Sequence, residues 1–139
     1  MIDINYELRK AYKTALDTVG IPAYYQELPP NVAPNAYIIF RSINSTDIST
    51  KSSFDTNTEI TVEIHTKASV ANSGYNADLY ANDVMQAIYA TRHQHLTLAN
   101  AQIVTTQLVN DVTRDWDIKG ATKWISRYLT FSHKIFQLN

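Results

Sequence analysis

The stretch EITVEIHT, residues 59–66, alternates apolar and polar side chains without a break. Successive side chains of a β-strand point to opposite faces, so Ile60, Val62 and Ile64 share one face. The other face carries the polar residues of the stretch, which are Glu59, Thr61, Glu63 and His65. The stretch therefore predicts a strand that is buried on one face. Its outer face is expected to be wet or to contact another protein.

The fifteen residues before this strand, 44–58, form a strongly polar segment. Ten of them are Asn, Ser or Thr, and only Ile48 and Phe54 are large and apolar. Such a segment buries too little apolar surface to offset the entropy lost on ordering it. We expect a long polar β-hairpin loop here, entered through a buried strand over 36–43. Three prolines within 29–34 require a loop or a sheet-edge connection further upstream.

Two segments have the apolar spacing of helices. Asp3 can cap a helix over 3–19, since Gly20 permits a helix end and Pro22 forbids continuation. A second stripe of apolar residues at three- and four-residue spacing predicts a helix over 75–91, after a turn that contains Gly74.

The C-terminal part of the chain predicts two more strands. Residues 102–112 and 123–136 alternate, and a turn over 115–122, carrying Gly120, joins them as an antiparallel pair. Helices are few and strands are long, which predicts an α+β fold with a mainly antiparallel sheet and two helices packed on one face. At 139 residues, without repeats or linkers, the chain is expected to be one domain over 1–139.

Composition excludes several classes of function. The twelve basic and thirteen acidic residues include no run of Lys or Arg, so the chain lacks the charge pattern that drives binding to phosphate backbones, and direct nucleic-acid recognition is not expected. With no cysteine, disulfides and thiol chemistry are excluded, and three glycines cannot form a phosphate-binding or dinucleotide motif. There is no run of eighteen apolar residues and no signal-peptide pattern, so neither a membrane span nor ordinary export is expected.

The last strand carries large side chains on both faces. Ile125, Leu129, Phe131 and Ile135 form one apolar series. Large aromatic residues alternate with polar residues on the other face, where they include Trp124, Tyr128 and Phe136. A hydrophobic core on one side and a subunit contact on the other explain this pattern most simply.

Four residues suggest histidine chemistry. His93 and His95 have a spacing that some metal sites use, but the sequence offers no third ligand, and a solvated turn explains them as well. Glu63 could tune His65 as a general base, whereas a cross-strand ion pair on a wet face is the alternative. We expect no catalytic residue, no metal ligand and no cofactor.

Three carboxylates lie close together before the last strand. Asp111, Asp115 and Asp117 could hold a hard cation. Turn residues that accept local backbone hydrogen bonds are the alternative, and the sequence favours it.

Beyond these patterns, nearly the whole chain resembles the tail terminator, or tail-completion, proteins of long-tailed bacteriophages. The matching pieces are AYIIFRSINSTDISTKSSFDTNTEITVEIHTKA (36–68), GYNADLYANDVMQAIY (74–89) and a late strand with RYLTF (127–131). In that family a strand ends in a long polar loop, a second strand leads to a helix, and a β-pair closes the domain.

The resemblance implies a late structural protein without enzymatic activity. Its subunits would form a ring, commonly a homohexamer, that caps the tail tube, stops its growth and joins the head connector. The implied location is the tail–neck region of the virion, after assembly in the host cytoplasm. A head-completion or neck adaptor that binds the portal side is the alternative, and a small enzyme is a third possibility.

The expected contact positions combine this resemblance with the strand patterns. Loops in related rings order against neighbours or the tube, so the expected contacts are Lys51 and Phe54 in the loop, Glu59, Glu63 and His65 on the outer strand face, and Trp124 and Tyr128 on the last strand.

Overall fold

The computed structural model describes residues 3–69, 75–92, 94–117 and 122–137. Two helices and five strands make up the described chain, which confirms the predicted α+β class. In chain order they are α1 (Ile4–Leu16), β1 (Ala23–Tyr25), β2 (Ala36–Asp47), β3 (Asp55–Ser69), α2 (Tyr75–Tyr89), β4 (Ala101–Asp117) and β5 (Thr122–Gln137).

The strands form one sheet in the order β1-β2-β3-β5-β4. Among the described strands, only β1 pairs in parallel, with β2, and the other three pairings are antiparallel. Side chains of both helices join the hydrophobic core on one face of the sheet, here called the core face. Its largest fully buried members include Tyr12, Phe40, Leu8, Phe131 and Leu129. The opposite side of the sheet is called the open face.

Helix α1 begins where the sequence predicts but ends earlier than residue 19. The Asp3 side chain accepts a hydrogen bond from the Asn5 amide and so caps its first turn. After Leu16, the amides of Thr18 and Val19 bond three residues back, so the chain tightens out of the α-helix. Gly20 then adopts φ +92, a left-handed conformation that glycine takes without strain.

The polar hairpin is present, but its loop is shorter than 44–58. Pairing of β2 with β3 continues to Asp47 and Thr56, so only Ile48–Phe54 connects the two strands. The polar residues pair across strands, as in the 3.1 Å contact between the Ser45 and Thr58 hydroxyls. β5 lies alongside as far as Phe136, opposite Asp55, and completes the hydrogen bonding of this half of β3.

Three β-bulges break the simple alternation of the strands. The register shifts at Ile43 in β2 and at Val104 and Val109 in β4, and each of these apolar residues is exposed. The first bulge explains why Ile43 does not share the burial expected for 36–43. The second places Ile103 and Thr106 on the same face, where both are buried.

Strands β4 and β5 are longer than the sequence predicts. Their ladder runs as far as Asp117, opposite Lys123, so the expected turn over 115–122 begins later. Gly74 and Gly120, at which the sequence predicts turns, lie outside the described residues. Neither described helix is long and apolar enough to cross a membrane.

Candidate functional site

The open face brings together four of the seven predicted contact residues. The register sets His65 opposite Tyr37 and Ser126, and Glu63 opposite Tyr128. Trp124 lies two residues before Ser126 on the same face of β5 and stacks edge-on against Tyr37, with ring centroids 5.9 Å apart. Glu63, His65, Trp124 and Tyr128, together with Tyr37, Arg41, Arg114 and Ser126, are called the open-face cluster.

A row of hydrogen bonds runs through the open-face cluster. Arg41 Nε lies 2.8 Å from one carboxylate oxygen of Glu63, and His65 Nε2 lies 3.1 Å from the other. The second ring nitrogen of His65 is 2.6 Å from Ser126 Oγ. Glu63 therefore takes part in the cross-strand ion pair that the sequence left open, with Arg41 as its cationic partner.

Aromatic rings cover this polar row. The His65 ring centroid lies 5.0 Å from that of Tyr37 and 5.9 Å from that of Tyr128, and the Arg114 guanidinium lies over Tyr128. Burial, and then the charge of Glu63, raises the pKa of the Tyr37 hydroxyl. Only 5% of His65 is exposed. Of the two alternatives expected for the outer face, wet or in contact with another protein, this position is not wet, because neighbouring side chains on the same sheet cover it.

The spatial order Glu63, His65, Ser126 is that of an acid, a base and a hydroxyl nucleophile. Ser126 has no exposed surface, however, so a substrate cannot reach its hydroxyl while the rings stay in place. The hydrogen bonds that this row makes hold side chains in fixed orientations. The arrangement as it stands suits a rigid contact patch better than proton transfer to a substrate.

The other three predicted contact residues lie apart from the cluster. Glu59 is on the same face of β3, opposite Ser132, but four residues and about 13 Å along the strand from Glu63. Lys51 and Phe54 belong to the hairpin loop, where 43% of Phe54 is exposed. The predicted contact residues therefore fall into three places: the open-face cluster, Glu59 alone, and the loop pair Lys51 and Phe54.

Two of the three carboxylates proposed for a cation site, Asp111 and Asp115, form ion pairs with basic residues of the protein. Asp111 and Asp115 lie within β4 and not in a turn, which corrects that expectation. Arg127 donates two hydrogen bonds to Asp111, at 3.0 and 2.7 Å, and a third to Asp78 of α2 at 3.0 Å. This hydrogen bonding lowers the pKa of the Asp111 carboxyl. Lys123 lies 3.6 Å from Asp115.

No group of three metal-binding side chains occurs in the part of the chain that the structure describes. His93 and the side chain of Asp117 lie outside it, so neither the His93–His95 pair nor the full set of three aspartates is described. His95 hydrogen-bonds to Thr106, with 3.1 Å between Nδ1 and the hydroxyl.

A buried polar chain on the core face was not predicted from the sequence. The Tyr12 hydroxyl lies 2.5 Å from His133 Nε2, and His133 Nδ1 lies 3.0 Å from Thr106, which in turn contacts His95. Burial, with a smaller effect of the His95 charge, lowers the pKa of His133 to about 4. The sequence did contain one indication that His133 is buried, since it lies between Phe131 and Ile135 in the apolar series of the last strand.

Comparison with known proteins finds similarity at the level of structure. A chain from a structure described as "Virion of native gene transfer agent (GTA) particle" superposes with a TM-score of 0.68 at 17% identity, covering 96% of this chain and 94% of that one. This chain therefore shares the fold of a virion component. A second solved structure covers 92% of this chain and 94% of its own, with a TM-score of 0.50 at 10% identity. No family model and no curated protein sequence matches the chain.

Proposed function

We propose that this protein is a structural component of a phage-like virion that forms a ring on the end of the tail tube. The observation that carries the proposal is the end-to-end structural match with a chain of a gene transfer agent virion. The resemblance of 36–68 and 74–89 to tail terminator proteins makes the assignment more specific. The ring, commonly a hexamer in that family, would stop tube growth and join the head connector.

The open-face cluster supports a role in protein contact. Its Trp, Tyr and Arg side chains are the residue types that contribute most to binding energy at protein interfaces. The hydrogen bonds through Glu63, His65 and Ser126 already order the cluster, so little side-chain entropy remains to be lost on binding. We assign it to contact with the tail tube protein.

Location and mechanism follow from this assignment. The protein would assemble in the host cytoplasm and remain in the tail–neck region of the virion. It would act by covering the growing end of the tube, so its role is structural and requires no cofactor. Self-association and two different neighbours, the tube protein and a head connector, are the partners that this role requires.

The test uses the purified protein with purified tail tubes. We expect the protein to co-sediment with tubes, and we expect electron micrographs to show one ring at a tube end. Tube protein polymerised in its presence should yield shorter tubes. If the protein neither co-sediments with tubes nor limits their growth at any salt concentration, the proposal is wrong. Binding to portal-bearing heads instead would place it in the neck.

A further inference from the structure

A cationic cleft lies between α1 and the sheet edge formed by β1. It has a volume of about 590 Å³ and is lined by Arg9, Lys10, Lys13, Thr14, Ala23, Tyr24, Tyr25 and Phe40, which we call the α1–β1 groove. Lys13 contacts Asp17 at 2.7 Å and Lys10 lies 3.6 Å from Glu7. Arg9 stacks on the Tyr25 ring at 4.8 Å, and no described carboxylate lies within 4.0 Å of it. The groove therefore offers aromatic surface and an excess positive charge.

The hairpin tip, residues 47–55, has the complementary properties. Two large apolar residues are exposed on it, Ile48 at 39% and Phe54 at 43%. Two acidic residues, Asp47 and Asp55, flank them, whereas the tip has one basic residue, Lys51. Hydrogen bonds from Ser49 lower the pKa of Asp47, which keeps this carboxylate charged. A 2.9 Å bond from the Ile48 amide to the Asp55 carbonyl closes the tip.

The tip cannot fill the groove of its own chain. Phe40 lines the groove and Ile48 begins the loop, so eight residues of extended strand separate them, or about 26 Å. Pairing with β3 as far as Asp47 keeps this part of β2 extended. A groove beside the first half of β2 and a complementary tip at its far end allow a head-to-tail contact between copies, and such contacts form a ring when the rotation between subunits closes.

We propose that the hairpin tip of one subunit docks in the α1–β1 groove of the next copy of this chain. The inference deepens the proposed function, on which it rests, by naming the two surfaces that join ring subunits. Ile48 and Phe54 would contact the rings of Tyr24 and Tyr25, and the tip carboxylates would neutralise the α1 cations.

Because the chain contains no cysteine, paired cysteines test this contact without background. Thr14→Cys in the groove and Ser52→Cys at the tip change two exposed residues. A tagged Thr14→Cys protein mixed with untagged Ser52→Cys under mild oxidation should form a disulfide-linked heterodimer as the main product. The matched control pairs Thr14→Cys with Asn110→Cys on β4, at the other edge of the sheet, and should give little product. Equal yields from the two mixtures would overturn the proposal.

Charge reversal provides an independent readout. Arg9→Glu and Asp47→Arg should each weaken self-association about tenfold or more, and an equimolar mixture should restore it, because every contact between alternating copies of the two variants joins opposite charges. Ultracentrifugation measures this self-association, and circular dichroism checks that the variants fold.

If Arg9→Glu assembles normally and no specific cross-link forms while tubes are still capped, the docking proposal is wrong and the proposed function stands. Cross-linked rings that do not bind tubes would support the docking proposal and contradict the proposed function.

Discussion

His65 and His133 are buried on opposite faces of the same sheet, but by different means. His133 is enclosed by the helix layer and bonds to Tyr12 of α1. His65 is covered by neighbours on its own sheet, among them Tyr37 and Tyr128, which themselves lie on the open face. Burial beneath a helix contributes to the stability of the fold. Burial beneath a layer of surface rings leaves those rings available to contact another protein.

The difference between the two faces should be largest in the stability lost on substitution at two positions of β5. Phe131→Ala empties a fully buried core site and should lower the free energy of unfolding by about 3–5 kcal/mol. Tyr128→Ala removes a ring from the open face and should cost about 1 kcal/mol. Urea unfolding of the two variants measures both values. Similar losses would mean that the open face is as much a part of the folding core as the helix-covered face.

Acid should destabilise the fold through His133. Its pKa is lowered to about 4, so the unfolded chain takes up the proton first as the pH falls below about 6.5. The stability that the neutral ring provides is complete above pH 6.5 and declines between about 6.5 and 4, by about 3 kcal/mol in all.

The variant His133→Gln isolates this contribution, because glutamine keeps hydrogen-bonding groups but does not titrate in this range. Urea unfolding at several pH values should show a smaller loss of stability for His133→Gln than for the wild type. If the free energy of unfolding falls with pH in parallel for the two proteins, groups other than His133 cause the loss of stability in acid.

Removing one hydroxyl from the buried chain should have an intermediate effect. Tyr12→Phe keeps the ring but leaves His133 Nε2 without its partner, which should cost about 1–3 kcal/mol. Tyr6→Phe, on an exposed ring of the same helix, is the matched control and should leave thermal unfolding unchanged. A Tyr12→Phe protein as stable as the control would show that this hydrogen bond contributes nothing net.

The smallest effect on folding is expected from Trp124→Ala, at about 1 kcal/mol, together with a loss of tube binding of about tenfold or more. Lys134→Ala, exposed on the same strand and outside the open-face cluster, should change neither. Co-sedimentation with tubes and urea unfolding separate the two effects. If Trp124→Ala folds and binds tubes normally, the open-face cluster is not the surface that contacts the tube.

Much of the fold was predictable because its signals are local. The alternation around Ile60, Val62 and Ile64 identified β3, and all three side chains are buried. The bulges at Ile43, Val104 and Val109 were not predictable, because an apolar residue at a register shift looks like any other member of an alternating strand. The strand pairing of polar 44–47 with 56–59 was also missed, since this part of β3 is supported in turn by β5, more than seventy residues away.

The candidate site was likewise predictable only where its signals are local. Strand alternation placed Glu63 with His65 and Trp124 with Tyr128, because side chains two or four residues apart share a face. It could not place these two pairs together, since that depends on the register between β3 and β5. Ser126 was missed for that reason as well, whereas Arg41 depends on the register between β2 and β3 and the chain through His133 depends on how α1 and β4 pack against β5.

The sequence by itself determined the two helices, the faces of β3 and β5 and the near-neutral charge, since each depends on spacing of a few residues or on composition alone. Only the tertiary structure decided which polar residues are covered and which apolar residues are exposed. Strand register, bulges and helix packing join residues that are far apart in the chain, and those contacts, not residue type, separate His65 and His133 from water.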